Sequence, residues 1–432
     1  MSVAISQRIN VGIGQTVTAG ASGMFLEFYE YGIYGTFAPV ISKVFFTGDA
    51  ISGLLLTYGI FAVTFLFRPV GGAVLGALGD RLGRKAALLI SLSIISVATT
   101  LIGLLPGYAT IGIAAPILLT LCRLAQGFSA GGETSAAVTL IGEQAPPNRR
   151  AYYVSFIQSA SFLALLSGTL IGILLSSTLT DEALRSWGWR VPFLLALPLG
   201  AIGLWIRHDV PESKAFEELS GKKVLEANPL KAAVGSGENR RLLFLAMTVP
   251  MLNNIGYYVL FNYLPTYLSS KSIGFSPAAS FAVTSIGLAA LIVTIPFAAR
   301  VADRFGRRPA LICSSLAMAL CAYPAYLGMQ QKSLMLAIVG ILLLAVIFAG
   351  NTGVIHTVLM EMFPPAVRTT SYALGYNVGL AIFGGAGPLL VTLLIGRTGN
   401  PAIPAYYITF AALVTSLFTL FLAETGARRR RA

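Results

Sequence analysis

The sequence predicts an all-α integral membrane protein with twelve transmembrane helices in two six-helix halves. Three observations support this fold class. Of the 432 residues, 56% are hydrophobic and 11% are charged, whereas a soluble domain carries about 25% charged residues. Long uncharged runs such as 86–107 and 333–350 recur along the chain, and one membrane-spanning helix needs about 20 apolar residues. A basic loop motif also occurs twice, at corresponding places in the two halves.

Breaks at proline, glycine and charged residues divide the chain into twelve candidate spans. The longest polar interval, 208–240, carries lysines and glutamates and falls in the middle of the chain. We therefore predict an N-terminal six-helix half over 1–207, a cytoplasmic linker over 208–240, and a C-terminal half with a short basic tail over 241–432. The spans are predicted near 17–42, 51–78, 86–106, 112–141, 152–178, 188–207, 241–269, 278–300, 309–329, 333–359, 370–396 and 403–422.

The net charge of +13 is distributed in the way that membrane topology requires. The links on the side of both termini hold 22 of the 30 Lys and Arg residues, and the opposite links hold six. Because basic residues accumulate in cytoplasmic loops, both termini are predicted to be cytoplasmic, in a multi-pass protein of the cell (inner) membrane. The basic excess is therefore a feature of topology, and we expect no nucleic-acid partner.

The repeated loop reads G-D-R-L-G-R-K over 79–85 and A-D-R-F-G-R-R over 302–308. The two copies lie 223 residues apart, between spans two and three and between spans eight and nine. Glycine permits a tight turn, while Asp and Arg form charge-assisted bonds to neighbouring helix ends. Duplicated halves are a recurring plan of secondary transporters. We therefore expect a gating role for Asp80, Arg81, Arg84, Asp303, Arg304 and Arg307.

Several charged residues lie at positions that lipid would otherwise surround, and each is costly there. Glu27 and Glu30 share one helix face near the middle of span one, and Arg123 reaches a similar depth in span four. Gln126 and Glu133 share a stripe of span four. A buried carboxylate near an arginine is suited to gaining and losing a proton. The expected order of proton carriers is Glu30, Glu27 and Glu133, and the alternative for each is a permanent ion pair.

Uncharged polar residues extend the candidate substrate site. Such side chains bond substrate oxygens or, equally, hold helices together. Cys122, Cys313 and Cys321 lie in apolar segments, so no metal site is predicted and the coupling ion is expected to be a proton, without a cofactor. The candidate substrate-binding residues are Arg123, Gln126, Gln158, Tyr31, Asn254, Tyr257, Tyr258, Tyr376 and Asn377.

An ordered set of short motifs runs nearly from end to end of the chain. The motifs are E-F-Y-E at 27–30, F-R-P-V-G-G at 67–72, Q-G-F-S-A-G-G-E at 126–133, W-G-W-R-V-P-F at 187–193, P-E-S-K-A-F at 211–216, Y-L-P-T-Y-L at 263–268 and E-M-F-P at 361–364. With the doubled loops, they resemble the major facilitator superfamily and, within it, the metabolite:H+ symporter family. The resemblance implies proton-coupled uptake of organic acids or of zwitterions such as proline and betaine.

Span one departs from the usual family pattern N-x-x-E-W-F-D-F. Met24 replaces the Asn, Phe28 replaces the Trp, and Glu30 replaces an Asp that is one carbon shorter. These changes retain the carboxylates needed for proton chemistry but alter the fit of the substrate. The sequence therefore does not choose between an organic acid and a zwitterion.

The remaining function classes are distinguished by what they require. A primary pump needs a nucleotide-binding G-x-x-x-x-G-K-[ST] motif, which does not occur in the sequence. A membrane-embedded enzyme, the remote alternative, needs a nucleophile and base or a metal cluster. The chain has two histidines and no H-E-x-x-H, and its one G-x-S-x-G match, at 127–131, lies inside predicted span four and not at a strand-to-helix turn. A facilitated uniporter without proton coupling is the nearer alternative. We expect a monomer in the lipid bilayer that binds a small solute and H+.

Overall fold

The structure is a computed structural model that describes residues 12–47, 50–221, 228–270 and 272–426. The predicted basic tail at 428–431 lies outside the described residues. All regular structure in the described part of the chain is helical. Within a bilayer the backbone N–H and C=O groups of a long apolar run find no water, and a helix lets them bond to one another.

Twelve helical segments occupy the predicted positions, and we call them spans 1 to 12. Among the described residues, nine are long and apolar enough to cross a membrane by length and composition. The other three are spans 1 and 4, which carry buried charges, and span 12, which has 17 residues. The predicted twelve-span helical fold is confirmed. The spans are Ile13–Phe45, Ala50–Leu82, Arg84–Leu104, Ala114–Gln144, Arg150–Thr178, Asp181–His208, Gly237–Asn262, Pro277–Phe305, Arg307–Gln330, Leu334–Glu361, Arg368–Thr398 and Ile403–Thr419.

Spans 7 and 11 are not continuous α-helices. In span 7 the α-helix Met251–Gly256 passes into a π-helical turn at Tyr257–Asn262. Span 11 is interrupted between Arg368–Phe383 and Gly387–Thr398. Wide helical turns occur frequently at functional sites because they re-aim side chains. Both interruptions lie in the C-terminal half, beside tyrosines that the sequence assigns to the substrate site.

Glycines bring span 2 close to its neighbours on both sides. A Cβ on Gly127 or Gly131 of span 4 would lie 2.3 Å from the Thr64 carbonyl oxygen or 2.2 Å from that of Arg68. A Cβ on Gly76 would lie 2.9 Å from the Cα of Thr370 in span 11. Gly127 and Gly131 therefore let spans 2 and 4 pack closely, and span 2 also packs directly against the other half.

The repeated loops, the linker and the segment after span 10 meet at one end of the molecule, which we call the basic face. Gly83 and Gly306 turn the two loops with φ angles of 110° and 113°, a region that favours glycine. The backbone N–H of Lys85 donates to Glu212 Oε2 at 3.0 Å, so the linker lies against the first loop. The charge distribution of the sequence predicts that this face is cytoplasmic.

Candidate functional site

The two carboxylates of span 1 each form a buried ion pair with an arginine of the same half. Glu27 Oε1 accepts a bond of 2.8 Å from Arg68 Nη1 of span 2. Glu30 accepts from Arg123 of span 4. All four side chains are essentially inaccessible to solvent, and buried charges are tolerated only when they are paired in this way. The sequence analysis placed Arg123 at the depth of the buried acids, but it did not select Arg68.

Arg123 is held on several sides by groups of the N-terminal half. Its Nη1 donates to Gln126 Oε1 at 2.8 Å, and Gln126 Nε2 donates in turn to Thr99 Oγ1 at 2.8 Å. The guanidinium lies 4.3 Å from the centre of the Tyr34 ring, a cation–π contact. Arg123, Gln126 and Glu30, which the sequence names as site candidates, are thus in direct contact.

Glu133, the third candidate proton carrier, lies in a different environment. Both of its carboxylate oxygens accept bonds from Arg207, and Ser91 donates to it as well. Arg207 also donates to the Ala19 and Leu88 carbonyl oxygens at 2.9 and 2.6 Å. Arg207 stands at the end of the sixth predicted span, and its side chain is buried inside the N-terminal half. Span 6 continues to His208, which carries Arg207 into the bundle.

Arg68 connects the charged cluster to the C-terminal half. Its Nε donates to Asn377 Oδ1 of span 11 at 3.0 Å, and its Nη1 donates to the Tyr31 hydroxyl at 2.8 Å. Asn377 Nδ2 donates to the Gly131 and Ala373 carbonyl oxygens. Sequence reasoning selected Tyr31 and Asn377 but left out the arginine that joins them.

A second polar contact between the halves lies at span 10. Gln158 Nε2 of span 5 donates to Thr352 Oγ1 at 2.9 Å, and Asn253 Nδ2 of span 7 donates to the same oxygen at 2.7 Å. The predicted residue Gln158 therefore does bridge the halves. Its partner Thr352 and the neighbouring Asn253 are functional candidates that the sequence analysis did not name.

The aromatic candidates of span 7 lie against the N-terminal half. The ring of Tyr257 is 5.1 Å from that of Phe28, and the ring of Tyr258 is 5.4 Å from that of Phe65. The Tyr257 hydroxyl and both amide atoms of Asn254 are buried and have no hydrogen-bond partner among the described residues. Polar atoms in this condition are suited to a ligand, because burial without a partner is costly.

Tyr376 packs against two other rings of the C-terminal half. Its ring is 5.2 Å from the His356 ring and 5.9 Å from the Tyr372 ring. The three rings form a buried cluster of spans 10 and 11 beside Asn377. The cluster packs spans 10 and 11 together next to the contact between Arg68 and Asn377.

Each repeated loop binds the beginning of a helix in the opposite half. Asp80 accepts from the backbone N–H groups of Thr369 and Thr370, at 3.2 and 2.8 Å, at the start of span 11. Asp303 accepts from those of Ala151 and Tyr152, at 3.1 and 2.9 Å, at the start of span 5. A carboxylate is favourable at a helix N-terminus because the first N–H groups have no partner inside the helix.

Two glutamates that the sequence analysis did not select complete these contacts. Glu143 Oε1 accepts from Arg84 at 3.3 Å and from Arg368 at 2.8 Å. In the same way Glu361 pairs with Arg307 at 3.3 Å and with Arg150 at 3.0 Å. Each glutamate therefore joins an arginine of its own half to an arginine of the other half.

The remaining two loop candidates lie elsewhere. Arg81 and Arg304 are exposed, and neither takes part in the ion pairs found in the described part of the chain. Arg304 lies over the ring of Phe305 at 5.5 Å. The structure thus brings Asp80, Arg84 and Asp303 into contact with the opposite half, while Arg307 pairs with Asp303 and Glu361 of its own half.

Comparison with known proteins agrees with this arrangement. The family model described as Major Facilitator Superfamily matches residues 20–374 and 270–432. The glycine betaine/proline/ectoine/pipecolic acid transporter OusA of Dickeya dadantii is 35% identical over 422 residues, covering 95% of this chain and 83% of OusA. The citrate-proton symporter of Klebsiella pneumoniae is 32% identical over 408 residues, covering 94% and 91%. The fold matches that of the proton:xylose symporter XylE with a TM-score of 0.80, at 19% identity and 96% coverage of each chain.

These features define a polytopic membrane transporter, not an enzyme. The chain belongs to the major facilitator superfamily and, within it, to the metabolite:H+ symporter family. The resemblance carried by the sequence motifs is thereby confirmed.

Proposed function

We propose that the protein takes up a small carboxylate-bearing metabolite together with protons by alternating access. The observation that carries this proposal is the pair of buried carboxylate–arginine contacts on span 1, next to the polar contacts that join the halves. A purely structural helix would gain more from apolar residues, because buried ion pairs contribute little net stability. The pair that contains Arg68 also lies at the contact between the two halves, which favours a role in coupling.

The proton site is assigned first to Glu30, then to Glu27 and then to Glu133. Glu30 and Glu27 each leave one carboxylate oxygen without a hydrogen-bond partner among the described residues. Both oxygens of Glu133 are bonded, which favours the alternative of a permanent ion pair for that residue. Protonation of Glu30 would release Arg123 for other anions, which is how an acid and a solute become coupled.

The solute class follows from the chemistry shared by the relatives. OusA is a betaine, proline, ectoine and pipecolic acid transporter and the Klebsiella protein is a citrate symporter, and carboxylates occur in both sets. We assign solute contacts to Arg123, Gln126 and Gln158, with the aromatic and amide groups of spans 1, 7 and 11 around them. These further residues are Tyr31, Asn254, Tyr257, Tyr258, Tyr376 and Asn377.

Alternating access would proceed by rocking of the two halves. The loop contacts of Asp80 and Asp303 tie the halves together at the basic face, so they must break for the solute to leave on that side. We infer that this face is cytoplasmic, that the protein lies in the cell membrane with both termini inside, and that it acts as a monomer.

The experiment is radiolabelled uptake into proteoliposomes with and without an inward proton gradient. The probes are citrate, proline and glycine betaine, and wild type is compared with Glu30→Gln. Accumulation driven by the gradient, lost in the variant while exchange is retained, supports coupling through Glu30. Uptake that ignores the gradient favours the facilitated uniporter instead. Equal accumulation by the variant moves the proton to Glu27 or Glu133.

A further inference from the structure

Arg68 is a buried arginine that bonds to both halves of the molecule at the level of the charged cluster. In the N-terminal half its Nη1 donates to Glu27 and Tyr31, and in the C-terminal half its Nε donates to Asn377. In the described part of the chain, the bonds of Arg123 and Arg207 go to N-terminal residues alone. A change at Arg68 therefore directly alters a hydrogen bond to the C-terminal half.

Unpartnered polar atoms occur on span 1 and on span 7, which contact each other through Phe28 and Tyr257. Glu27 Oε2 is buried without a hydrogen-bond partner among the described residues, as are the Asn254 amide and the Tyr257 hydroxyl. Phe28, the residue after Glu27, contacts the Tyr257 ring at 5.1 Å. A ligand that separates these two rings would find a cation on one side and free donors and acceptors on the other.

We propose that Arg68 determines specificity by exchanging Glu27 for the carboxylate of the solute when Glu27 is protonated. The proton moves from the external water onto a Glu27 carboxylate oxygen, and the solute supplies the negative charge that Glu27 has given up. Arg68 then keeps a counter-charge throughout, which matters because an unpaired buried charge is strongly unfavourable. Asn377 holds the guanidinium in place through its bond to Nε. This inference rests on the proposed carboxylate-bearing solute.

The charges around Glu27 single out Arg68 as its exchanging partner. Glu30 and Glu133 have arginines of their own, Arg123 and Arg207, so Arg68 is the cation that Glu27 releases when it is protonated. The other titratable groups that interact with Glu27 are the phenols of spans 1, 7 and 11. These are Tyr31, Tyr257, Tyr372 and Tyr376.

The test measures solute exchange in proteoliposomes without a gradient, with radiolabelled proline, glycine betaine and citrate as probes. Prolinamide, which lacks the carboxylate, serves as a competitor beside unlabelled proline. In Arg68→Gln we expect the half-saturating concentration to rise about 10- to 100-fold, the range of a lost charged hydrogen bond. The preference for proline over prolinamide should disappear. In Glu27→Gln, exchange should persist. The half-saturating concentration should rise with pH in wild type but not in this variant.

A double variant separates this role from a loss of folding. Arg68→Gln/Glu27→Gln removes both charges, so it should unfold in detergent at a temperature close to wild type and still fail to discriminate proline from prolinamide. Arg190→Gln is the matched control, since Arg190 bonds the Gly103 and Leu105 carbonyl oxygens, away from the other half.

The outcomes against the inference are distinct from those against the proposed function. A double variant with wild-type half-saturation and selectivity overturns the role of Arg68. If uptake by wild type does not depend on the proton gradient, symport is overturned. The exchange measurements on the Arg68 variants still test the role of Arg68 in that case. A wild type that exchanges none of the three probes overturns the solute class and this inference with it.

Discussion

The hydroxyl of Thr370 donates to Asp80 Oδ2 at 2.7 Å, which fastens the loop between spans 2 and 3 to the first turn of span 11. The partners belong to opposite halves and lie 290 residues apart. In the second loop Asp303 accepts from the backbone N–H of Ala151 at the first turn of span 5. Each half therefore supplies the acid that stabilises a helix start of the other half.

Neutralising either loop aspartate should weaken closure at the basic face. In Asp80→Asn the amide retains one acceptor but loses the charge that favours the helix N-terminus, an effect of about 0.3–1 kcal/mol. We expect faster hydrogen exchange at the amides of Thr369 and Thr370 and slower uptake, and the corresponding result at Ala151 and Tyr152 for Asp303→Asn. Mass spectrometry of deuterated peptides measures the first effect.

The control for this prediction is an aspartate away from the contact between the halves. Asp209 is largely exposed and pairs with its neighbour His208, so Asp209→Asn should leave both exchange and uptake unchanged. Unaltered protection of the span 11 amides in Asp80→Asn would show that the carboxylate does not hold the two halves together.

The sequence predicted the repeated loops because Asp80 and Asp303 recur in the same short motif. A second repeat was present but overlooked: E-x-x-P-P-x-x-R occurs at 143–150 and again at 361–368. Its glutamates and arginines are the residues that complete the contacts at the basic face. A systematic comparison of the halves would have found them.

The pairing of the buried charges could not be predicted so readily. Arg207 lies at the end of an apolar run, where an arginine usually reaches the lipid headgroups, and its partner Glu133 is 74 residues away. Span 4 and span 6 must first pack around span 1 before the two meet. Sequence periodicity identifies the face of one helix, but it does not identify which helix that face will contact.

Gly23 leaves room for the buried pair of Glu133 and Arg207. A Cβ at this position would lie 1.9 Å from Glu133 Oε1 and 1.8 Å from Arg207 Nη2. Gly23→Ala should therefore force the pair apart and lower the free energy of unfolding by about 3–5 kcal/mol, the cost of breaking a buried ion pair. Thermal unfolding in detergent measures the loss.

Gly14 provides the matched comparison for this substitution. It lies in the same helix and a Cβ there would meet nothing within 4 Å. Gly14→Ala should be neutral or stabilising, by up to about 1 kcal/mol, because alanine favours the helix. Equal unfolding temperatures for the two alanine variants would contradict the packing argument at Gly23.

Thr352 accepts hydrogen bonds from two amide side chains that come from different halves. In Thr352→Val both Gln158 and Asn253 lose this acceptor, and each buried donor left unpaired costs about 1–3 kcal/mol. We expect a lower unfolding temperature and weaker exchange of the transported solute. Thr352→Ser retains the hydroxyl and should stay close to wild type. A valine variant as stable as the serine variant would argue against the bridge.

Glu143 and Glu361 should control how often the basic face opens. In Glu143→Gln, Arg368 loses its 2.8 Å ionic partner and Arg84 keeps Asp80 at 3.5 Å. The closed arrangement then contains an arginine without a nearby anion. The free energy of the closed arrangement therefore rises relative to that of an open arrangement, in which water reaches the arginine. Glu361→Gln acts in the same way on Arg150 and Arg307.

The opening can be measured as a distance between spin labels on the two loops. Leu82 and Phe305 are exposed, at 64% and 54%, and belong to opposite halves, so cysteines there can be labelled once Cys122, Cys313 and Cys321 are replaced. We expect a longer-distance population in Glu143→Gln and in Glu361→Gln. Glu238→Gln, at an exposed position at the start of span 7, should retain the wild-type distribution. If all three variants share that distribution, the glutamates do not hold the basic face closed, and the aspartates alone must account for its closure.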